Sequence, residues 1–185
     1  MTDKKGGAAS MAGFFDDKWV KLVALTTTIL AVLAGISSLK GGGYSTKVQL
    51  SMTAESNKWA YFQAKSIKQH SYEIQRDTFD LEALKENNGV AKAYIDKKRK
   101  EYAANIERYN QEKNQIKSEA EALGKEQDIA KRHGGNFGMA VMFFQMAIML
   151  SSVAALIKKH YLWFIGLGFG TFAIVYMVNG FFLFF

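Results

Sequence analysis

Four methionines, Met139, Met142, Met146 and Met149, stand at spacings of three, four and three residues and so share one face of a helix. Thioethers are soft donors that select Cu(I), and in a symmetric oligomer such a stripe could line a copper path. The same side chains pack adaptably among apolar neighbours, and that is the stronger reading here. The three histidines, His70, His133 and His160, are isolated from one another and none has a second ligand four residues away, so no metal site is expected within one chain. Cysteine is absent, which removes disulfides, thiolate metal sites and a thiol nucleophile. The run Gly41-Gly42-Gly43 precedes Tyr44-Ser45-Thr46-Lys47, an order opposite to that of a phosphate-binding loop, and reads as a joint. With no acid, base, nucleophile or metal constellation, the chain is expected to be no enzyme and to use no cofactor.

The elements that carry these residues divide sharply by polarity. Of the 24 Lys and Arg, 18 lie between Lys40 and Asn136, together with 14 of the 17 Asp and Glu. A mean hydropathy near zero therefore conceals three apolar stretches and one segment rich in both signs. Mixed charge favours a solvated helical surface and argues against nucleic acid as a partner, which calls for one-signed clustering. Proline is absent as well, in keeping with long uninterrupted helices.

A bilayer core about 30 Å thick is crossed by roughly 20 apolar residues. Residues 19–39, 137–157 and 161–185 meet that requirement. The first holds only Lys21, placed where it can snorkel, and the other two are uncharged. Tyr161, Trp163 and Phe164 at one end of the third, and Phe181, Phe182, Phe184 and Phe185 at the other, resemble an interfacial belt and put the terminal carboxylate at the far interface. The first stretch exceeds the about 7–15 apolar residues of a cleaved signal and reads as an uncleaved anchor. Small residues recur at four-residue spacing: Thr27, Ala31 and Gly35; Ala147, Ser151 and Ala155; Gly166 and Gly170. Such faces let helices pack closely within a bundle or between copies. Thr26 to Thr28, and Gln145 with Ser152, are the polar faces around which a pore could form.

Between the Gly41–Gly43 joint and a second break at His133-Gly134-Gly135-Asn136, Ala, Glu, Lys and Gln abound, and Asn87-Asn88-Gly89 is the strong interior turn signal. Two helices of roughly forty residues, each about 60 Å long, are expected to run out and return. On the return helix, Ile95, Tyr102, Tyr109, Ile116, Leu123 and Ala130 form one column at seven-residue spacing, the signature of a left-handed seam. The positions four further on, among them Arg99, Lys113 and Gln127, make that seam narrow and polar. Met52, Trp59, Phe62, Ile74, Leu81 and Leu84 are the outgoing partners, with Tyr61, Tyr72 and Phe79 adding aromatic surface. Too few for a core, they suggest that the hairpin gains stability by pairing with its copies.

The expected fold class is thus all-α: an integral membrane protein with three transmembrane helices (19–39, 137–157, 161–185), an N-terminal tail (1–18), and a long extramembrane, coiled-coil-like helical hairpin (40–136, turning near 87–89) between the first and second. Short flanks on the N-terminal side carry Lys4, Lys5, Lys18, Lys21, Lys158 and Lys159; Lys40, Lys47, Lys125, Lys131 and Arg132 flank the other. Because short loops dominate orientation, a cytoplasmic N-terminus and a periplasmic hairpin are expected.

The runs TTTILAVLAGISSLKGGGYSTKVQL, NKWAYFQAKSIKQHSYEIQ and GMAVMFFQMAIMLSSVAALIKKHYLWFIGLG resemble a bacterial family of membrane proteins known only as a domain of unknown function. The resemblance covers nearly the whole chain and is weakest from Arg76 to Asn105. It implies bacterial origin and the three-span layout, and brings no activity or binding residues; the expected location is the bacterial inner (plasma) membrane. The expected role is that of a structural or scaffolding protein that self-assembles through its spans and hairpin. Its partners would be membrane lipid and further copies of the chain. A homo-oligomeric pore and an accessory subunit of a larger membrane complex are the alternatives.

Overall fold

The computed structural model describes residues 18–184. Among them the chain is all-α, with three helices: α1 (Lys18–Lys85), α2 (Gly89–Ile157) and α3 (His160–Phe182). The tail expected over 1–18 lies outside the described residues apart from Lys18, and so does Phe185. All three helices hold stretches long and apolar enough to cross a membrane.

The expected joints at Gly41–Gly43 and His133–Asn136 are corrected by the structure. Both runs lie inside continuous helices of 68 and 69 residues, so neither breaks its helix. The reason is packing. A glycine inside a helix costs about 1 kcal/mol relative to alanine. Here Gly41 and Gly134 face each other so closely that a Cβ on Gly41 would meet Phe137 Cβ at 3.3 Å, and one on Gly134 would meet Tyr44 Cβ at 3.4 Å. The glycines bring α1 and α2 together; no described glycine has a positive φ.

The chain leaves helix at Glu86–Asn88. Glu86 Oε1 accepts the backbone N–H of Asn88 at 2.7 Å, and Asn88 Oδ1 accepts that of Val90 at 3.0 Å. Asn88 is therefore the N-cap of α2, satisfying one of the donors a helix start leaves open. Between α2 and α3, Lys158 adopts the left-handed region at φ 53° and Lys159 N–H donates to Ala154 O at 3.2 Å. That bond closes α2 with the geometry usual for a glycine-terminated helix, although lysine occupies the position.

Among the described residues two compact units are present, residues 18–48 with 129–184, and residues 49–128. In the first, α1, the end of α2 and α3 form an antiparallel three-helix bundle. Trp19 lies over His160 with centroids 4.3 Å apart and Trp163 Nε1 donates to Thr26 Oγ1 at 3.2 Å, which fixes one end. Leu30, Ala140, Phe144, Ala147 and Ala173 make its core. In the second unit the remaining lengths of α1 and α2 pair antiparallel.

Candidate functional site

Within the bundle, α3 meets its neighbours through small residues. Gly166, Gly170, Ala173 and Gly180 are all buried and recur at spacings of four, three and seven. A Cβ on Gly166 would stand 3.0 Å from Ser151 Oγ and 3.1 Å from Ala147 O, one on Gly170 3.1 Å from Leu30 Cδ2, and one on Gly180 3.1 Å from the Phe137 ring. On α2, Ala140, Ala147 and Ala154 are fully buried, as is Ser151. Five of the residues singled out for helix packing, Ala147, Ser151, Ala155, Gly166 and Gly170, are thus buried or half-buried inside the chain.

The face of α1 behaves differently. Thr27 is half-buried, Ala31 and Gly35 are exposed, and a Cβ on Gly35 would have nothing within 4 Å. The lower part of this face borders an open groove of about 450 Å³ lined by Val23, Ala24, Thr27, Thr28, Ala31 and Ala155 among others. Thr26, Thr27 and Thr28 donate to carbonyls of their own helix at 2.9, 2.7 and 2.9 Å, and Ser152 does likewise at 2.8 Å. Met139, Met142, Met146 and Met149 all point outward. No group of three or more metal-binding side chains occurs among the described residues.

At the other end of the bundle, His133 sits at the centre of an aromatic cluster. Its Nδ1 donates to Gly180 O at 2.7 Å, and its ring stacks on Tyr44 at 4.7 Å and 9°. Tyr44 also stacks on Phe137, whose edge meets Phe181 at 5.0 Å, and Lys40 Nζ lies 5.8 Å from the Phe181 centroid. The sequence puts His133 at an expected break and does not reveal this role. The signal was present, since Tyr44, His133 and Phe137 lie where an apolar stretch meets a polar one.

In the unit of residues 49–128 the seam is filled from within the chain. Ile95, Tyr109 and Ile116 are buried, Tyr102 and Leu123 half-buried; Ala130, the last of the column, is buried in the bundle. The facing column on α1 is Ser51, Lys58, Lys65, Tyr72 and Phe79, again at seven-residue spacing. Met52, Ile74, Leu81 and Leu84, expected as partners, point outward instead. Their apolar character was the wrong cue, because the seam is built from aromatic stacks and ion pairs. Tyr72 packs on Tyr102 and Tyr109 at 5.5 and 5.7 Å, and Phe79 on Tyr102 at 5.6 Å. Lys58 pairs with Glu119 at 2.5 Å, Lys65 with Glu112 at 2.6 Å, and Arg99 with Asp80. The hydrogen bond from Lys65 holds the Glu112 carboxyl below its ordinary pKa, that from Lys58 does the same for Glu119, and Glu112 in turn raises Lys65.

No curated protein and no solved structure matches the chain. A family model does match, over residues 19–183, a span that includes the turn between α1 and α2. The chain belongs to that family, described as a domain of unknown function, DUF4337.

Proposed function

We propose that the protein is a structural or scaffolding component of the bacterial inner membrane that crosses the bilayer three times and associates with further copies of itself. The observation that carries this reading is the division of the small-residue faces. Those of α2 and α3 are consumed inside the chain, whereas Ala31 and Gly35 of α1 remain on the outside. A backbone left open in this way can approach an identical face closely, and a self-complementary face suits a two-fold pair. The bundle's outer surface suits lipid: only 17%, 28% and 17% of the apolar windows of α1, α2 and α3 are buried within the chain.

Residues 49–128 then form a coiled-coil-like hairpin outside the bilayer. Its seam is occupied by its own two helices, so self-association is assigned to α1 and not to the hairpin. The end of the bundle that carries Lys18, Lys21, Lys158 and Lys159 is placed in the cytoplasm and the hairpin in the periplasm, on the weight of short positively charged flanks. A cysteine introduced at Asn88 should label from outside in intact cells. Labelling only after lysis would reverse the orientation.

A pore has less support, because the hydroxyls of Thr26, Thr27, Thr28 and Ser152 already donate to their own helices. Light-scattering mass of the detergent-purified chain tests the proposal. A discrete oligomer is expected. A monomer that co-purifies with another complex would instead make it an accessory subunit.

A further inference from the structure

Residues 18–48 and 129–184, which form the bundle, contain eight Lys and Arg and no Asp or Glu. Four of the cations lie at the end marked by Trp19 and His160, and four, Lys40, Lys47, Lys131 and Arg132, at the end marked by the His133 cluster. The two ends differ in what accompanies the charge. At the first, the groove beside Thr27 is lined without a cation. At the second, an open groove of about 520 Å³ is lined by Ile36, Leu39, Lys40, Gly43, Tyr44 and Lys47.

These six residues occupy one face of α1 and change character along it. Ile36 and Leu39 supply apolar surface, and Leu39 is 80% exposed with no covering side chain of its own. Gly43 leaves the backbone bare, with nothing within 4 Å of the position its Cβ would take. Lys40 and Lys47 then bring two positive charges to the point where the uncharged run 22–39 ends. Tyr44 stands between them, held by its stack on His133.

A ligand that fits must be apolar at one end and anionic at the other, with the junction at the level of Lys40. That is the description of a phospholipid with net negative charge. Zwitterionic lipids carry a cation that Lys40 and Lys47 would repel, and a wholly apolar ligand would offer nothing to match their positive charge. Basic residues at the edge of an apolar helix recognise anionic headgroups through the same attraction that draws polybasic segments to membrane surfaces. We propose that this groove is a binding site for an anionic phospholipid, its phosphodiester held by Lys40 and Lys47 and an acyl chain lying along Leu39 and Ile36. The proposal rests on the membrane-spanning reading of the bundle.

Native mass spectrometry of the full chain released from detergent micelles tests it, with phosphatidylglycerol and phosphatidylcholine of matched acyl chains as probes. Phosphatidylglycerol should be retained about 10-fold more than phosphatidylcholine. Lys40→Gln alone should reduce that ratio, and Lys40→Gln with Lys47→Gln should bring it to parity. Lys40→Arg with Lys47→Arg should preserve it, as should Lys18→Gln with Lys21→Gln at the opposite end. Equal retention of the two lipids by the unaltered chain would overturn the site. So would selectivity unaffected by the double glutamine variant while its circular dichroism is unchanged. Displacement by excess soluble glycerophosphate would assign the groove to a free phosphate ester and overturn the lipid. A variant that changes oligomer mass without changing lipid retention would assign it to a second copy. The membrane reading fails by a different sign, a chain that stays monodisperse in water without detergent.

Discussion

The imidazole of His133 closes the C-terminal end of α3 by donating from Nδ1 to the carbonyl of Gly180, 2.7 Å away. That carbonyl lies in the last turn of α3, where a helix runs out of its own N–H donors; the carbonyl just before it, Asn179 O, accepts from the C-cap Leu183 N–H. A side chain on α2 thus does for α3 what a capping residue does locally, and the stack of Tyr44 keeps the ring in place. His133→Ala should destabilise the bundle by about 1–3 kcal/mol, since the carbonyl would be left without its donor. Thermal unfolding in detergent would register this as a lower Tm, and an unchanged Tm would deny the bond a structural role.

Glycine substitutions should divide by location. Gly166→Ala and Gly180→Ala each place a methyl group about 3 Å from Ser151 Oγ and the Ala147 carbonyl, or from the Phe137 ring, and should cost about 1–3 kcal/mol. Gly35→Ala meets nothing within 4 Å and should leave the fold unaltered or slightly more stable. Comparing the three Tm values in one detergent checks both halves of the statement.

The turn between α1 and α2 depends on Asn88. Asn88→Ala removes the acceptor for Val90 N–H and should cost about 1 kcal/mol. The loss should be confined to the first turns of α2, so hydrogen exchange should quicken near Gly89 to Lys92 and leave the bundle untouched.

The ion pairs between α1 and α2 in residues 49–128 predict the response of that unit to pH. Glu112 and Glu119 have folded pKa values below their unfolded ones, so their contribution is present above the unfolded value and lost as pH falls through the folded one. Lys65 is raised, so its contribution is present below its unfolded value and lost as pH rises through the folded one. Both partners in the Lys58–Glu119 pair are about two-fifths exposed, which keeps the effect small and salt-dependent. At low salt the Tm should fall by a few degrees between about pH 6 and about pH 3, and by less at about 1 M salt. A fall of equal size at both ionic strengths would point away from these pairs.

The sequence made the three apolar stretches legible because their signal is length and the absence of charge, which no local detail can mask. The seven-residue column from Ile95 is legible as well, with Ala130 as its expected end. In the structure the same spacing continues through Phe137, Phe144 and Ser151, all fully buried. The expected column ends early because Gly134-Gly135 looks like a break when glycine is weighed by helix propensity alone. Propensity of about 1 kcal/mol per glycine is outweighed where two helices need a close crossing, and only the partner's position reveals that need. The matching column of α1 was hidden for another reason. Lys58, Lys65 and Tyr72 look like surface residues until Glu119, Glu112 and Tyr109 are seen opposite them. Gly180 and Ala173 do not stand out in the sequence because their partners lie on other helices, more than thirty residues away in sequence for Gly180 and Phe137.

Self-association through the open face of α1 is the central claim, and its most direct measurement is subunit counting of the full chain in lipid bilayers by single-molecule photobleaching, with Gly35→Leu as the comparison. The unaltered chain should bleach in a fixed number of steps greater than one, and Gly35→Leu in a single step, with the same helix content by circular dichroism. Single-step bleaching of the unaltered chain, or an unchanged step count in Gly35→Leu, would contradict the account.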